Sequence, residues 1–239
     1  STRDGTLGGS SMHATVPLLA RDDDDLFTTP ARSSALARVS LDGVESWRRD
    51  ELFAQPVRVL ALSPRGTVLY ACGRSTLAGD GDAAVVFALD AQTGSTLWRT
   101  LLEHAPACLL ANPDGRTLWL LGSTTVVLDA RTGALLRGNV ALTGTPPHEC
   151  AAFTDDGAVL FTARGGALRR YHAGGAHETL GNEVATDALV LGAPSAFTRT
   201  ASGRIAVTGN ADAELRVWDT RRGEQVWALE GLAEPARGL

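Results

Sequence analysis

The sequence predicts an all-β protein built from about five repeated four-stranded antiparallel sheets. Three observations carry that prediction. Short apolar segments of 4 to 7 residues alternate with polar turns along the 239 residues. One pattern returns about every 45 residues. Each period holds four such segments and leaves no room for a long helix.

The first half of each period is a strand, a polar turn with glycine, and a second strand. It runs from Val57 to Tyr70 around Pro64-Arg65-Gly66, and from Ala107 to Trp119 around Asn112-Pro113-Asp114-Gly115. Later copies run from Glu149 to Phe161 around Asp155-Asp156-Gly157 and from Ala196 to Val207 around Ala201-Ser202-Gly203. A degenerate copy spans Thr15 to Phe27, with the acidic run Asp22 to Asp25 in place of the turn. Anchors at 23, 66, 115, 157 and 203 stand 43, 49, 42 and 46 residues apart.

The second half is an apolar strand that closes on another polar turn and continues into a short outer strand. Its copies are Ala37–Gly43, Val86–Gly94, Val126–Gly133, Leu168–Gly175 and Leu215–Gly223. In these turns an aspartate can accept hydrogen bonds from its own turn while the glycine takes positive φ, which is hairpin chemistry. Outer strands such as Ser95-Thr96-Leu97-Trp98-Arg99 follow.

Four-stranded units at this period are the blades of a β-propeller. A twisted sheet that is apolar on both faces cannot hide both alone, and radial stacking covers each face with a neighbour. The predicted layout is a flexible or truncated segment at 1–11, a propeller over 12–232, and a tail at 233–239. Its repeats fall at about 12–50, 51–101, 102–140, 141–185 and 186–232. Either the ring closes with five blades, or the chain is part of a larger, seven-bladed one.

The last repeat, Thr208-Gly209-Asn210-Ala211-Asp212-Ala213-Glu214-Leu215-Arg216-Val217-Trp218-Asp219, resembles the WD40 motif. That resemblance implies structural roles for Thr208, Asp212 and Trp218 in a polar network within the blade. The family's upstream histidine has no counterpart here, since 182–194 contains none. The second repeat, from Phe87 to Trp98, is more similar to a quinoprotein-type blade, without the adjacent cysteine pair or clustered ligands that would hold such a cofactor. Ser1 to Leu7 also resembles the turn between the second and third strands of a WD40 blade.

Composition narrows the function classes. The net charge is −5, and all 22 basic residues are arginine, a pattern that fits a GC-rich coding sequence. Lysine-based catalysis and lysine modification are therefore excluded. No apolar run of about 18 residues exists to span a membrane, and Ser1 to Ser11 is too polar for a signal peptide. A mildly acidic chain with dispersed arginines disfavours direct nucleic-acid binding. Cys72, Cys108 and Cys150 are odd in number and lack metal-site spacing, so they read as reduced thiols. Cys108 and Cys150 stand seven residues before their anchor glycines, where other copies carry Val59 and Ala196. A thiol in such a strand behaves as a small hydrophobe.

The candidate chemistry is sparse. Asp22 to Asp25 reads as a solvated acidic tip rather than a cation site. Gly79-Asp80-Gly81-Asp82 reads as a flexible turn. His148-Glu149-Cys150 would need partners from elsewhere, because strand alternation sends Glu149 to the opposite face. No nucleophile elbow, phosphate loop or dinucleotide fingerprint is present. No catalytic residue, cofactor or metal is therefore assigned. Arginine pairs stand at Arg48-Arg49, Arg169-Arg170 and Arg221-Arg222; the last two lie on or after a third strand, near a blade rim, and are interface candidates. Trp47, Trp98 and Trp227 fall in or near outer strands. They are expected to pack between blades, and an exposed one marks an interface.

The resulting expectation is a non-catalytic, WD40-like scaffold that holds protein partners in a larger assembly inside the cell, in the cytoplasm or nucleus. The alternative is a five-bladed propeller that binds or hydrolyses a small molecule or glycan in its channel.

Overall fold

A computed structural model describes residues 34–40, 43–55, 57, 59–76, 83–138, 140 and 222, together with the strands named below. Every element among the described residues is a strand, and the sheets number five, each four-stranded. Blade 1 comprises β1 (Leu18–Leu19), β2 (Asp25–Thr28), β3 (Leu36–Ser40) and β4 (Glu45–Arg49). Blade 2 comprises β5 (Val59–Leu62), β6 (Val68–Arg74), β7 (Ala84–Asp90) and β8 (Thr96–Leu102). Blade 3 comprises β9 (Cys108–Ala111), β10 (Thr117–Leu121), β11 (Val126–Asp129) and β12 (Leu135–Arg137). Blade 4 comprises β13 (Thr145–Phe153), β14 (Val159–Arg164), β15 (Leu168–Tyr171) and β16 (His177–Thr179). Blade 5 comprises β17 (Pro194–Arg199), β18 (Ile205–Asn210), β19 (Leu215–Asp219) and β20 (Glu224–Leu229).

Each blade is an antiparallel meander in chain order. The first strands of successive blades lie side by side, from β1 to β5, β9, β13 and β17. First strands therefore line the inside of the fold, and fourth strands form its rim. This is the architecture of a β-propeller. No helix among the described residues is long and apolar enough to cross a membrane.

The burial pattern explains why the sheets stack. In β6 and β7, Leu69, Ala71, Val85, Phe87 and Leu89 join Phe27 and Leu36 of blade 1 in one apolar cluster. Their alternating neighbours Tyr70, Cys72, Val86 and Ala88 turn the other way and pack with Leu109, Leu118, Leu120 and Leu128 of blade 3. Trp119, Leu121 and Val127 then face Phe153 and Tyr171 of blade 4. Period-2 alternation thus supplies two apolar faces per sheet, and each face is covered by the next blade. At about 25 cal/mol per Å2 of apolar area, this burial is the main stabilising term of the fold.

Local features fix the spacing between blades. The segment from β4 to β5 tucks Leu52 and Phe53 into the cluster between blades 1 and 2, and the Phe53 ring meets Phe87 edge-on at 5.3 Å. A Cβ at position 73 would stand 2.7 Å from that ring, so a glycine is required in β6. Four outer strands carry the same irregularity, one extra residue opposite the third strand. The register skips Ser46, Leu97, Leu136 and Val226, each three residues after a glycine in the sequence. The bulge lets the residue after it, Trp47, Trp98, Arg137 or Trp227, resume pairing with the third strand.

Candidate functional site

The turns between third and fourth strands carry a repeated set of polar contacts. In blade 2, Asp90 Oδ1 accepts hydrogen bonds from the backbone N–H of Gln92 and Thr93 and from the Thr93 hydroxyl, at 3.0, 2.8 and 2.9 Å. Asp129 in blade 3 repeats the pattern with Arg131 and Thr132 at 3.0, 2.8 and 2.9 Å. Backbone donation from Thr93 holds the Asp90 carboxyl below its usual range, and the Thr132 hydroxyl does the same for Asp129. Gly94 and Gly133 close these turns at φ of 70° and 72°, a conformation that favours glycine. In blade 5, the N–H of Arg222 donates to Asp219 at the same offset, 3.2 Å.

These turns are sockets for the preceding blade. Trp47 donates from Nε1 to the carbonyl of Ala91 at 3.0 Å, and Trp98 donates likewise to Ala130 at 3.1 Å. Each ring lies on the turn glycine so closely that a Cβ would stand 2.7 Å from Trp47 at position 94 and 2.5 Å from Trp98 at position 133. The same carbonyls accept a second donor, the Arg38 guanidinium at Ala91 and the Tyr70 hydroxyl at Ala130. Two residues beyond each tryptophan, Arg49 donates to the Gly94 carbonyl and the Thr100 hydroxyl donates to the Gly133 carbonyl. One clasp therefore repeats at both junctions, combining ring packing with convergent hydrogen bonds to backbone that would otherwise face solvent.

The rim carries the accessible apolar surface. Leu97 and Leu101 of β8, Leu135 and Leu136 of β12, and Val226 and Trp227 of β20 are all more than half exposed. Between the outer strands of blades 2 and 3 lies a depression of about 280 Å3, lined in part by Leu101, Leu102, His104, Pro106, Val126 and Leu135. Leucines projecting from a hydrogen-bonded sheet offer preorganised contact area with little ordering cost on binding.

The residues singled out in the sequence are placed as follows. Arg169 and Arg170 lie in β15, opposite Thr179 and Glu178. Arg222 is exposed in the turn after β19, whereas Arg221 lies outside the described residues. Thr208 lies in β18 opposite Arg216, and Trp218 in β19 opposite Ala206. Asp212 lies outside the described residues, as do Gly79 to Asp82 and Asp22 to Asp24. Arg48 pairs with Asp50 at 2.8 Å on the surface, and Arg49 with Glu51. His148, Glu149 and Cys150 all fall in β13. Among the described residues no group of three His, Cys, Asp or Glu could hold a metal ion. Cys72 is buried, and burial pushes its thiol up to about 12.

Sequence reasoning placed Trp47 and Trp98 between blades, and the structure puts them there. Trp227 departs from that expectation, because it is 52% exposed. The rim leucines were missed. Their signal is the bulge position three residues after each turn glycine, which places Leu97 and Leu136 outside the paired strand.

No family model matches the sequence, and no curated protein matches it. Solved structures do. U3-55K superposes with a TM-score of 0.74 at 13% identity, over 94% of this chain and 66% of that one. The RRP9 WD40 repeats give a TM-score of 0.74 at 13% identity, over 94% and 65%. The dihydro-heme d1 dehydrogenase NirN, solved in complex with DHE, gives 0.61 at 17% identity, over 90% and 46%. The chain spans less than two thirds of the length of each. At these identities the likeness shows the fold, a propeller shared by WD40 repeat proteins and an enzyme.

Proposed function

We propose that the chain is a non-catalytic, WD40-like scaffold that holds protein partners in a larger assembly. The observation that carries this reading is the rim. Exposed Leu101 and Leu135 line a depression of about 280 Å3, and Leu97 and Leu136 are exposed on the same two outer strands, the anatomy of a protein docking site. Exposed Arg222 supports it with a planar donor near the rim of blade 5, and Arg169, Arg170 and Arg221 are proposed to act with it. Step by step, buried blade faces fix the disc, the clasps fix its turns, and the outer strands are left to recognise a partner. The reading assigns the protein to the interior of the cell, where a buried thiol such as Cys72 stays reduced.

The test is purification of the protein from its source, with partners quantified by mass spectrometry. A stoichiometric partner should be lost from the Leu101→Glu, Leu135→Glu double variant while the circular dichroism spectrum is unchanged. Retention of that partner by the variant, or isolation of the protein without one, would overturn the scaffold reading.

A further inference from the structure

Trp227 stands where Trp47 and Trp98 stand. All three follow a glycine by four residues in the sequence, and all three resume pairing after the bulge of a fourth strand. Trp47 and Trp98 are half-buried, each donating to the turn of the next blade. Trp227 is 52% exposed, and its neighbour Val226 is 53% exposed. From this we infer that Trp227 is the plug for a sixth blade, supplied by polypeptide outside residues 1–239.

The chemistry of the socket follows from the two occupied ones. It needs a glycine at positive φ for the ring to lie on, and a backbone carbonyl three residues earlier for Nε1 to donate to. In blades 2 and 3 that carbonyl belongs to the alanine after the turn aspartate, and it stays available because the glycine N–H bonds one residue further back, to Asp90 or Asp129. The sixth blade should therefore carry an Asp-Ala-x-x-Gly turn. In sequence Leu229 stands where Arg49 and Thr100 stand, so this clasp relies on the indole and on apolar contact with exposed Val226.

Closure onto blade 1 does not meet the same requirements. Gly43 has positive φ of 82°, but no described residue lies within 4 Å of where its Cβ would be. Its turn is also shorter by one residue, closing from Ser40 to Val44 where blade 2 closes from Asp90 to Ser95. The carbonyl three residues before Gly43, that of Ser40, already accepts the Gly43 N–H at 2.9 Å. A further blade continues the stack already seen along β1, β5, β9, β13 and β17. It also fits the WD40 chains, about a third of whose length has no counterpart here.

The experiment is oxidative footprinting of the intact natural polypeptide, tryptophan by tryptophan, with a photo-crosslinking p-benzoylphenylalanine placed at Val226. Trp227 should oxidise as slowly as Trp98, and the crosslink should capture a glycine turn outside residues 1–239. Trp227→Ala should lower the Tm of that polypeptide by roughly 2–4 °C, with Trp227→Phe losing less. Oxidation of Trp227 at the rate of a solvent-exposed indole, a crosslink to any turn within residues 1–239, or an unchanged Tm for Trp227→Ala would each overturn the inference.

Discussion

At the junction of blades 2 and 3, Trp98 lies on Gly133 and donates to the Ala130 carbonyl at 3.1 Å. At blade 5, Trp227 holds the same position after the same bulge and lies 52% exposed. The strand chemistry is alike in both places, and what differs is the turn that faces it. A tryptophan in an outer strand becomes structural when a neighbour presents a glycine with no Cβ and a carbonyl that the turn's own glycine N–H leaves available. Without that neighbour it is apolar surface. The junction of blades 3 and 4 adds a third case. Arg137 replaces the tryptophan there, and Trp119 fills the space between blades from within, packing against Phe153 and Tyr171 at 6.1 and 5.9 Å.

The sharpest way to break the comparison is to remove each ring. In the 239-residue chain, Trp98→Ala should cost about 2–4 kcal/mol, since it removes a half-buried ring and one of the two side-chain donors to the Ala130 carbonyl. Trp227→Ala in the same chain should stay within about 0.5 kcal/mol, as expected for an exposed side chain. Urea unfolding of both variants checks this. A smaller effect is expected in acid. Asp90 and Asp129 have lowered folded-state values, so their contribution is complete above the ordinary aspartate range near about 4. It is lost as pH falls through the lower folded values. Asp90→Asn with Asp129→Asn should flatten the acid limb of a stability-against-pH curve.

The smallest effect is kinetic. Cys72 faces the junction between blades 2 and 3, with its thiol pushed up to about 12 by burial. Native alkylation of Cys72 should be slow, and Trp98→Ala should speed it by opening that junction. Trp47→Ala loosens a different face and should leave the rate nearly unchanged. Thiol labelling read by mass spectrometry separates the two outcomes.

Much of this was legible in the sequence. The turn glycines at 66 and 115 and the Asp-x-x-Thr-Gly turns at 90 and 129 announce their hairpins, because only glycine is at ease at φ near +70°. The unbroken apolar run from Val85 to Leu89 announces a strand buried on both faces. The fate of each tryptophan was not legible, since Trp98 and Trp227 share the same spacing from glycine and their burial depends on a neighbouring blade distant in sequence. The rim leucines were hidden for a similar reason. A bulge shifts Leu97 and Leu136 out of the alternation that would have marked them as exposed.

The central claim is that a ring on a bare glycine locks one blade to the next. Gly115 and Gly133 test it in one measurement, because both have φ near +71° but only Gly133 carries a ring. Alanine at either site pays the same strain of roughly 1–2 kcal/mol for a left-handed backbone. Gly133→Ala must also displace Trp98 and should cost about 1–3 kcal/mol more than Gly115→Ala in urea unfolding. That excess should vanish when both substitutions are made in a Trp98→Ala background. Equal costs in the native background, or an excess that persists without the ring, would contradict the account.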